Sequence, residues 1–271
     1  MKRREFLTGA IAGAVPGAAA TWLGRSARNR DRAAWERDRA LWEKERAKIP
    51  TDEFRMSFSQ QGEDIVLFHV LRDLLRANPP TYLDVGAAHP VKSNNTYLLY
   101  TTGGHGVLVE PNPMYADLLR QKRPRDKVVQ AGIGVTDQAE ADYYEIKGAP
   151  MLNTFSPEEV AYLQKGKTDS VVERVVKMPL ININRVIAAG FGKTPDLIST
   201  DIEGLDYAVL KSLDLSKYRP GVICAEGVPM YTPTRQSDLT RYLLAQDYVV
   251  RGGSTVNTIY VDARRLEGAG S

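Results

Sequence analysis

From residue 51 onward the hydrophobic positions fall into two alternating patterns. Residues 64–76 place Ile65, Leu67, Phe68, Leu71, Leu74 and Leu75 at the spacing of a helix that buries one face. Asn78-Pro79-Pro80 breaks that helix, and the apolar run over 81–85 predicts a strand. Residues 94–102 predict a helix that Gly103-Gly104 ends, and Gly106-Val107-Leu108-Val109 predicts the next strand. Pro113 suits a first helical turn, so a helix over 114–123 follows and stops at Arg123-Pro124. A strand over 127–133 has Gly132 and Gly134 at its tip, where backbone lets a flat ring come close. Residues 142–177 interrupt the alternation. Within them Ser156 is placed to cap a helix and Glu159 to reach back, with the helix ending near Gln164. Regularity returns at 184–189, and strands over 195–201 and 221–226 interleave with helices over 205–212 and 238–246. Residues 248–251 and 258–261 close the chain as an antiparallel hairpin. This order predicts an α/β fold on a mostly parallel sheet.

The chain has 271 residues and 43% hydrophobic content, enough for an ordinary core. Its net charge of +3 owes much to the first 50 residues, so the folded part is not expected to bind nucleic acid. A single cysteine, Cys224, lies in an apolar run and reads as a buried core residue; it excludes an intrachain disulfide and a cysteine-cluster zinc site. His69, His89 and His105 show no close metal-ligand spacing. Residues 1–24 resemble an export signal: Lys2-Arg3-Arg4, an uncharged stretch over 6–23, a twin-arginine-like Arg3-Arg4-Glu5-Phe6-Leu7 and the small residues Ala18-Ala19-Ala20. An uncleaved membrane anchor is the alternative for that segment. Residues 25–50 read as a charged helical spacer stopped by Pro50, which leaves 51–271 as the folded domain.

Four predicted strands end in acids: Asp84, Glu110, Asp201 and Glu226, with Glu203 two residues beyond the third. In open parallel sheets the carboxyl ends of the strands line the ligand crevice, so these acids should converge. Asp84 opens the turn Gly86-Ala87-Ala88-His89, and Glu110 follows 26 residues later, close to the offset at which an acid grips ribose hydroxyls. A dinucleotide needs several closely spaced glycines to hold its pyrophosphate; here only Gly86 stands, with Ala88 and Val91 where the pattern would continue. That disfavours a nicotinamide oxidoreductase and fits a phosphate-free cofactor such as S-adenosylmethionine, its ribose on Glu110 and its amino-acid end over Gly86-Ala87 near Asp84. Asp201 and Glu203 without further ligands are weak grounds for a metal, and none is expected.

Ser59-Gln60-Gln61-Gly62-Glu63-Asp64, Leu83-Asp84-Val85-Gly86-Ala87, Ser93-Asn94-Asn95-Thr96, Val109-Glu110-Pro111-Asn112-Pro113, Asp201-Ile202-Glu203-Gly204 and Asn257-Thr258-Ile259-Tyr260 together resemble the FkbM-type methyltransferase family. The resemblance implies a Rossmann-like class I fold with a seven-stranded sheet. It also implies S-adenosylmethionine-dependent methylation of an oxygen, commonly on a sugar or natural-product hydroxyl. It places Asp84, Gly86 and Ala87 at the methionine end of the cofactor, Glu110 at its ribose, Ala131 and Gly132 near adenine, and Asp201 and Glu203 facing the transfer site. The glycine turn, thinned to Gly86, departs from many such enzymes. Asp201, Glu203, Glu226 and His89 are the groups suited to accept the acceptor's proton, His89 by its near-neutral pKa. The acceptor, a small molecule or glycan, is expected to be chosen by residues 142–177 and Val228-Pro229-Met230-Tyr231. Against this stands an envelope-associated binding protein that keeps the fold without activity: the signal-like start favours it, the retained acids oppose it. Export would also part the chain from a cofactor made in the cytoplasm, which instead favours anchoring that faces inward.

Overall fold

The computed structural model describes residues 44, 56–136, 138–226 and 238–267. The signal-like and spacer segments, apart from Lys44, and Val228-Pro229-Met230-Tyr231 lie outside the described residues. Met56 begins a compact unit.

That unit is built on a seven-stranded sheet. Its strands are β1 (Thr81–Val85), β2 (His105–Val109), β3 (Lys127–Val129), β7 (Leu197–Thr200), β8 (Val222–Glu226), β9 (Tyr248–Gly253) and β10 (Asn257–Asp262), in the order β3-β2-β1-β7-β8-β10-β9. The first five pair in parallel and β10 runs antiparallel to both β8 and β9, the arrangement of a Rossmann-like class I methyltransferase fold. Strands β1, β7 and most of β8 are buried on both faces, which is why their sequences are continuous apolar runs rather than alternating ones. Alternate residues feed two cores. Leu83, Val85, Ile198 and Ile223 pack with helices α5 (Ile183–Gly190), α6 (Asp206–Lys211) and α7 (Asp238–Ala245). Tyr82, Leu197, Val222 and Cys224 pack with α1 (Glu63–His69), α2 (Tyr97–Thr101) and α3 (Pro113–Lys122). Cys224 is fully buried, as expected.

Three departures from the sequence pattern bear on the site. Helix α2 starts only at Tyr97, because Asn94 and Thr96 are tied to the β1 turn: Asn94 Nδ2 donates to Ala87 O and Asn94 Oδ1 accepts from Thr96 N. The strand expected over 127–133 splits. Residues Lys127–Val129 stay in the main sheet, whereas β4 (Gly132–Gly134) turns away and pairs with β6 (Val172–Asn182) in a second sheet of order β4-β6-β5. The irregular stretch is mostly strand: β5 (Glu140–Ile146) runs antiparallel to β6 and precedes a single 3-10 turn at Pro150–Leu152 and helix α4 (Pro157–Gln164). No residue of β6 is fully buried, so its sequence carries no continuous apolar run like those of β1 and β7. Ser156 caps α4 by accepting from Glu159 N as expected, but the Ser156 amide donates to Thr154 Oγ1, so Glu159 does not close the box. Helix α8 (Ala263–Glu267) ends the described chain, and among the described residues no helix is long and apolar enough to cross a membrane.

Candidate active site

The turn after β1 is wedged between the tips of β2 and β7. Gly86 N and Ala87 N both donate to Val109 O, Ala88 N donates to Glu110 Oε2, and Asp201 N donates to Val85 O. Gly86 is obligatory there: its φ is +80°, and a Cβ would lie 2.1 Å from Asp201 O. Three successive amides are thus used inside the protein. The nest of free N–H groups that a pyrophosphate requires is missing, in line with a phosphate-free cofactor.

Glu110 is buried and held at both oxygens, by Ala88 N at 2.8 Å and Asn112 N at 2.7 Å. Burial pushes its carboxyl up to about 7; the two amides pull it down, and Asp84 pushes it up again. Each oxygen keeps a further lone pair, so the group is fixed in place and still able to accept from a diol. Asp84 has a different task. Thr96 Oγ1 donates to it at 2.6 Å and Asn94 Nδ2 at 3.4 Å. Thr96 and Asn94 are in turn gripped by the fully buried Arg123, which also bonds Tyr82 OH and pairs with Asp126 at 2.7 Å. Burial raises the Asp84 pKa and Arg123 opposes it.

Gly86, Glu110, Ala131, Gly132, Asp201 and Glu203 line one cavity, together with the aromatic side chains of Tyr115, Tyr143 and Phe155 and with Met151 and Asn153. Among the described residues, Asp84, Ala87, His89 and Glu226 do not line it. His89 closes its own loop: Nδ1 accepts from Val91 N and Lys92 N, and burial and Lys92 lower its pKa. The flat ring over Gly132 is the protein's own Phe155, which a Cβ would approach to 2.5 Å. The sequence marked only the stretch 142–177, as the part expected to choose the acceptor; within it the hydrophobic pattern did not single out Tyr143, Asn153 or Phe155.

The second wall is acidic. In the turn after β7, Glu203 has φ +52° and Gly204 φ +91°, two left-handed residues in succession. Burial and then Asp206 and Asp84 push Asp201 up to about 7. Burial and then Asp201, Glu159 and Asp206 push Glu203 to about 8. Glu226, at the tip of β8, is pushed to about 9 by burial and then by Asp201 and Asp206. Among the described residues no group of three or more acids, histidines or cysteines is placed to hold a metal ion.

The donor set fits S-adenosylmethionine in kind: a carboxylate fixed for a ribose diol, aromatic walls for a base and acids for a sulfonium. The cavity itself is about 50 Å³, well short of the roughly 300 Å³ at which small-molecule pockets begin. A cofactor of that size would fit here only if one wall withdrew.

A family model described as the methyltransferase FkbM domain matches residues 84–250. Among solved structures, the chain is similar to a TehB-like SAM-dependent methyltransferase from Corynebacterium glutamicum ATCC 13032 Kitasato, at 10% identity over 85% of this chain and 98% of that one, with a TM-score of 0.39. It is also similar to an O-methyltransferase from Bacillus cereus in complex with SAH, at 14% identity over 83% of this chain and 89% of that one, with a TM-score of 0.36. Both likenesses are too distant to assign residues. No protein of curated function matches the chain. The family model spans more than half of the 271 residues, and by it the chain belongs to the FkbM-type methyltransferases, enzymes that use S-adenosylmethionine.

Proposed function

We propose that the chain methylates a hydroxyl oxygen of a small-molecule or glycan acceptor, with Glu110 holding the cofactor's ribose and Asp201 taking the acceptor's proton. One observation carries this reading: a carboxylate fixed by two backbone amides faces Asp201 and Glu203 across a single cavity. S-adenosylmethionine, when bound, supplies a methyl group on a positively charged sulfur that keeps the bonding pair as the methyl leaves. What the chain supplies is position and a proton acceptor. With its pKa near 7, Asp201 is partly ionised at neutral pH, the state in which a carboxylate is an effective base toward a hydroxyl. Glu203, held more fully protonated, is suited to donate a hydrogen bond to the acceptor. Gly86 forms the floor beneath the cofactor's methionine end, with Ala87 behind it holding the turn to Val109 O, and Ala131 and Gly132 form the edge beside its base. Asp84 contributes by fixing the turn through Thr96 and Asn94, and His89 by closing the loop that follows.

Two substitutions separate these roles. Asp201→Asn should lower turnover by about 10²-fold or more while S-adenosylhomocysteine affinity, measured by calorimetry, stays within a few-fold. Glu110→Ala should weaken that affinity by at least about tenfold, the loss of one charge-assisted hydrogen-bonding group. Unchanged turnover in the first variant removes Asp201 as the base; unchanged affinity in the second removes the ribose grip.

A further inference from the structure

Besides the cavity at the strand tips, the described residues form a larger one of about 480 Å³ inside the strand excursion. Small-molecule sites begin at roughly 300 Å³, so this outer cavity has room for a ligand as it stands. Its buried lining is apolar, from Ile146 and Val171, with Leu163 of α4 half-buried. Its exposed lining holds Lys147, Lys167 and Asp169. None of the three forms an ion pair among the described residues, so Asp169 leaves both ammonium groups available. The loop that carries Lys167 and Asp169 is fixed by Gln164. Its Nε2 donates to Lys167 O at 3.1 Å and to Asp169 O at 2.9 Å, and its Oε1 accepts from Val171 N at 2.9 Å. Lys147 is tied to the same loop by its own amide, which donates to Val171 O. Two cations on one backbone frame beside an apolar lining suit a ligand that joins a carboxylate or a phosphate to a carbon skeleton.

The outer cavity adjoins the cofactor cavity in two ways. Ala149 and Leu152 line the outer one, while Pro150, Met151 and Asn153 line the inner one, so a single turn of chain divides them. Helix α4 joins them lengthwise. Near its start, Glu159 Oε2 is 4.0 Å from where a Cβ on Gly204 would lie, next to Glu203, and near its end Leu163 lines the outer cavity. The 8 residues of α4 span about 12 Å, so a ligand as long as this helix extends from the lysines to the acids at the tip of β7.

We propose that the outer cavity binds an acidic group, a carboxylate or a phosphate, through Lys147 and Lys167, and that this group is the far end of the methyl acceptor. The second half rests on the methyl-transfer reading; the first does not. Calorimetric titration of the full chain, with and without saturating S-adenosylhomocysteine, tests the first half. The pairs are 4-nitrophenyl glucuronide against 4-nitrophenyl glucoside for the carboxylate, and glucose 6-phosphate against glucose for the phosphate. At pH 7.5 the acid of at least one pair should bind more tightly than its neutral counterpart by at least about tenfold. Lys147→Met combined with Lys167→Met should cut that preference several-fold. Thr168→Trp, which fills the cavity from an exposed position in its lining, should abolish binding of the preferred acid. Lys193→Met, which removes the same charge from the exposed loop before β7, should leave the preference intact. Equal affinities, preference for the neutral partner or no binding in any pair overturns the proposal. So does a preference that survives the double lysine substitution or Thr168→Trp, or one that Lys193→Met reduces as much. With methyl-labelled S-adenosylmethionine, label should pass to the preferred acid, and the double lysine substitution should raise its KM with kcat little changed. Lysine-dependent binding without labelled product removes the acceptor half and leaves the acid site. Failure of S-adenosylhomocysteine to bind counts against the cofactor reading alone, since the acid preference is also read without it.

Discussion

Asp84 and Glu110 are both buried carboxyls at neighbouring strand tips, yet their partners give them opposite tasks. Asp84 accepts from a threonine hydroxyl and an asparagine amide that a buried arginine holds in place, and it does not line the cavity. Glu110 accepts only from backbone amides and does. From sequence, spacing marked Glu110 and the strand tip marked Asp84, but nothing local tied Asp84 to Arg123, 39 residues away. The motif Ser93-Asn94-Asn95-Thr96 was legible as a resemblance; its physical work, bridging Asp84 to Arg123, needed the fold. Gly86 was legible in both respects, because a turn of positive φ at a strand tip asks for glycine. Gly86→Ala should destabilise the protein by about 1–3 kcal/mol, from left-handed strain and a backbone clash at Asp201. Urea unfolding followed by circular dichroism measures it, and an unchanged midpoint would show that the turn can move off β7.

At the level of elements, the main sheet was readable and the excursion was not. Strands buried on both faces must be apolar throughout, so 81–85, 195–201 and 221–226 stood out. β5 and β6 pair mainly with each other, are only partly buried, and so lack that pattern. This poorly legible element supplies Tyr143, Asn153 and Phe155 to the cavity. Its segment Gly148–Phe155 carries the short Pro150–Leu152 turn with Met151 38% exposed and Leu152 36% exposed. It is held by the two backbone bonds between Tyr144 and Thr154, by Ala149 N donating to Ile146 O, by Asn153 Oδ1, which accepts from Ile146 N, by Thr154 Oγ1 donating to Glu203 O, and by the Phe155 ring against Tyr143. Outside the main sheet, and with its turn residues Met151 and Leu152 exposed, it is the wall expected to give way, since β1, β2 and β7 are locked in the sheet. Binding of S-adenosylhomocysteine should therefore change amide hydrogen exchange in peptides covering 148–155 more than in peptides covering 81–85. Equal protection of both, or none in 148–155, would place the opening elsewhere.

Across the whole molecule the charge distribution is uneven in a way that the net charge of +3 conceals. The carboxyl ends of the strands gather Glu110, Asp201, Glu203, Asp206 and Glu226, with pKa values raised by burial first to about 7, 7, 8, 6 and 9. In the unfolded chain these groups titrate near 4. Between about pH 4 and the raised values the folded protein holds protons that the unfolded chain has released, so stability falls as pH rises through that window. The carboxyls whose pKa is lowered, such as Glu63 and Asp214, act with the opposite sign, but below the ordinary carboxylate range. His89, lowered by burial, opposes the trend only up to its unfolded pKa of about 6.5. The midpoint of thermal unfolding should consequently be highest near pH 5 and decline to pH 9. Glu226→Gln should flatten the portion above about pH 8, because Glu226 is the last of the group to release its proton. A midpoint that rises toward pH 9, or a slope that Glu226→Gln leaves unaltered, would mean that these carboxyls ionise as freely in the fold as in the open chain, and that the acid wall is solvated rather than waiting for a cation.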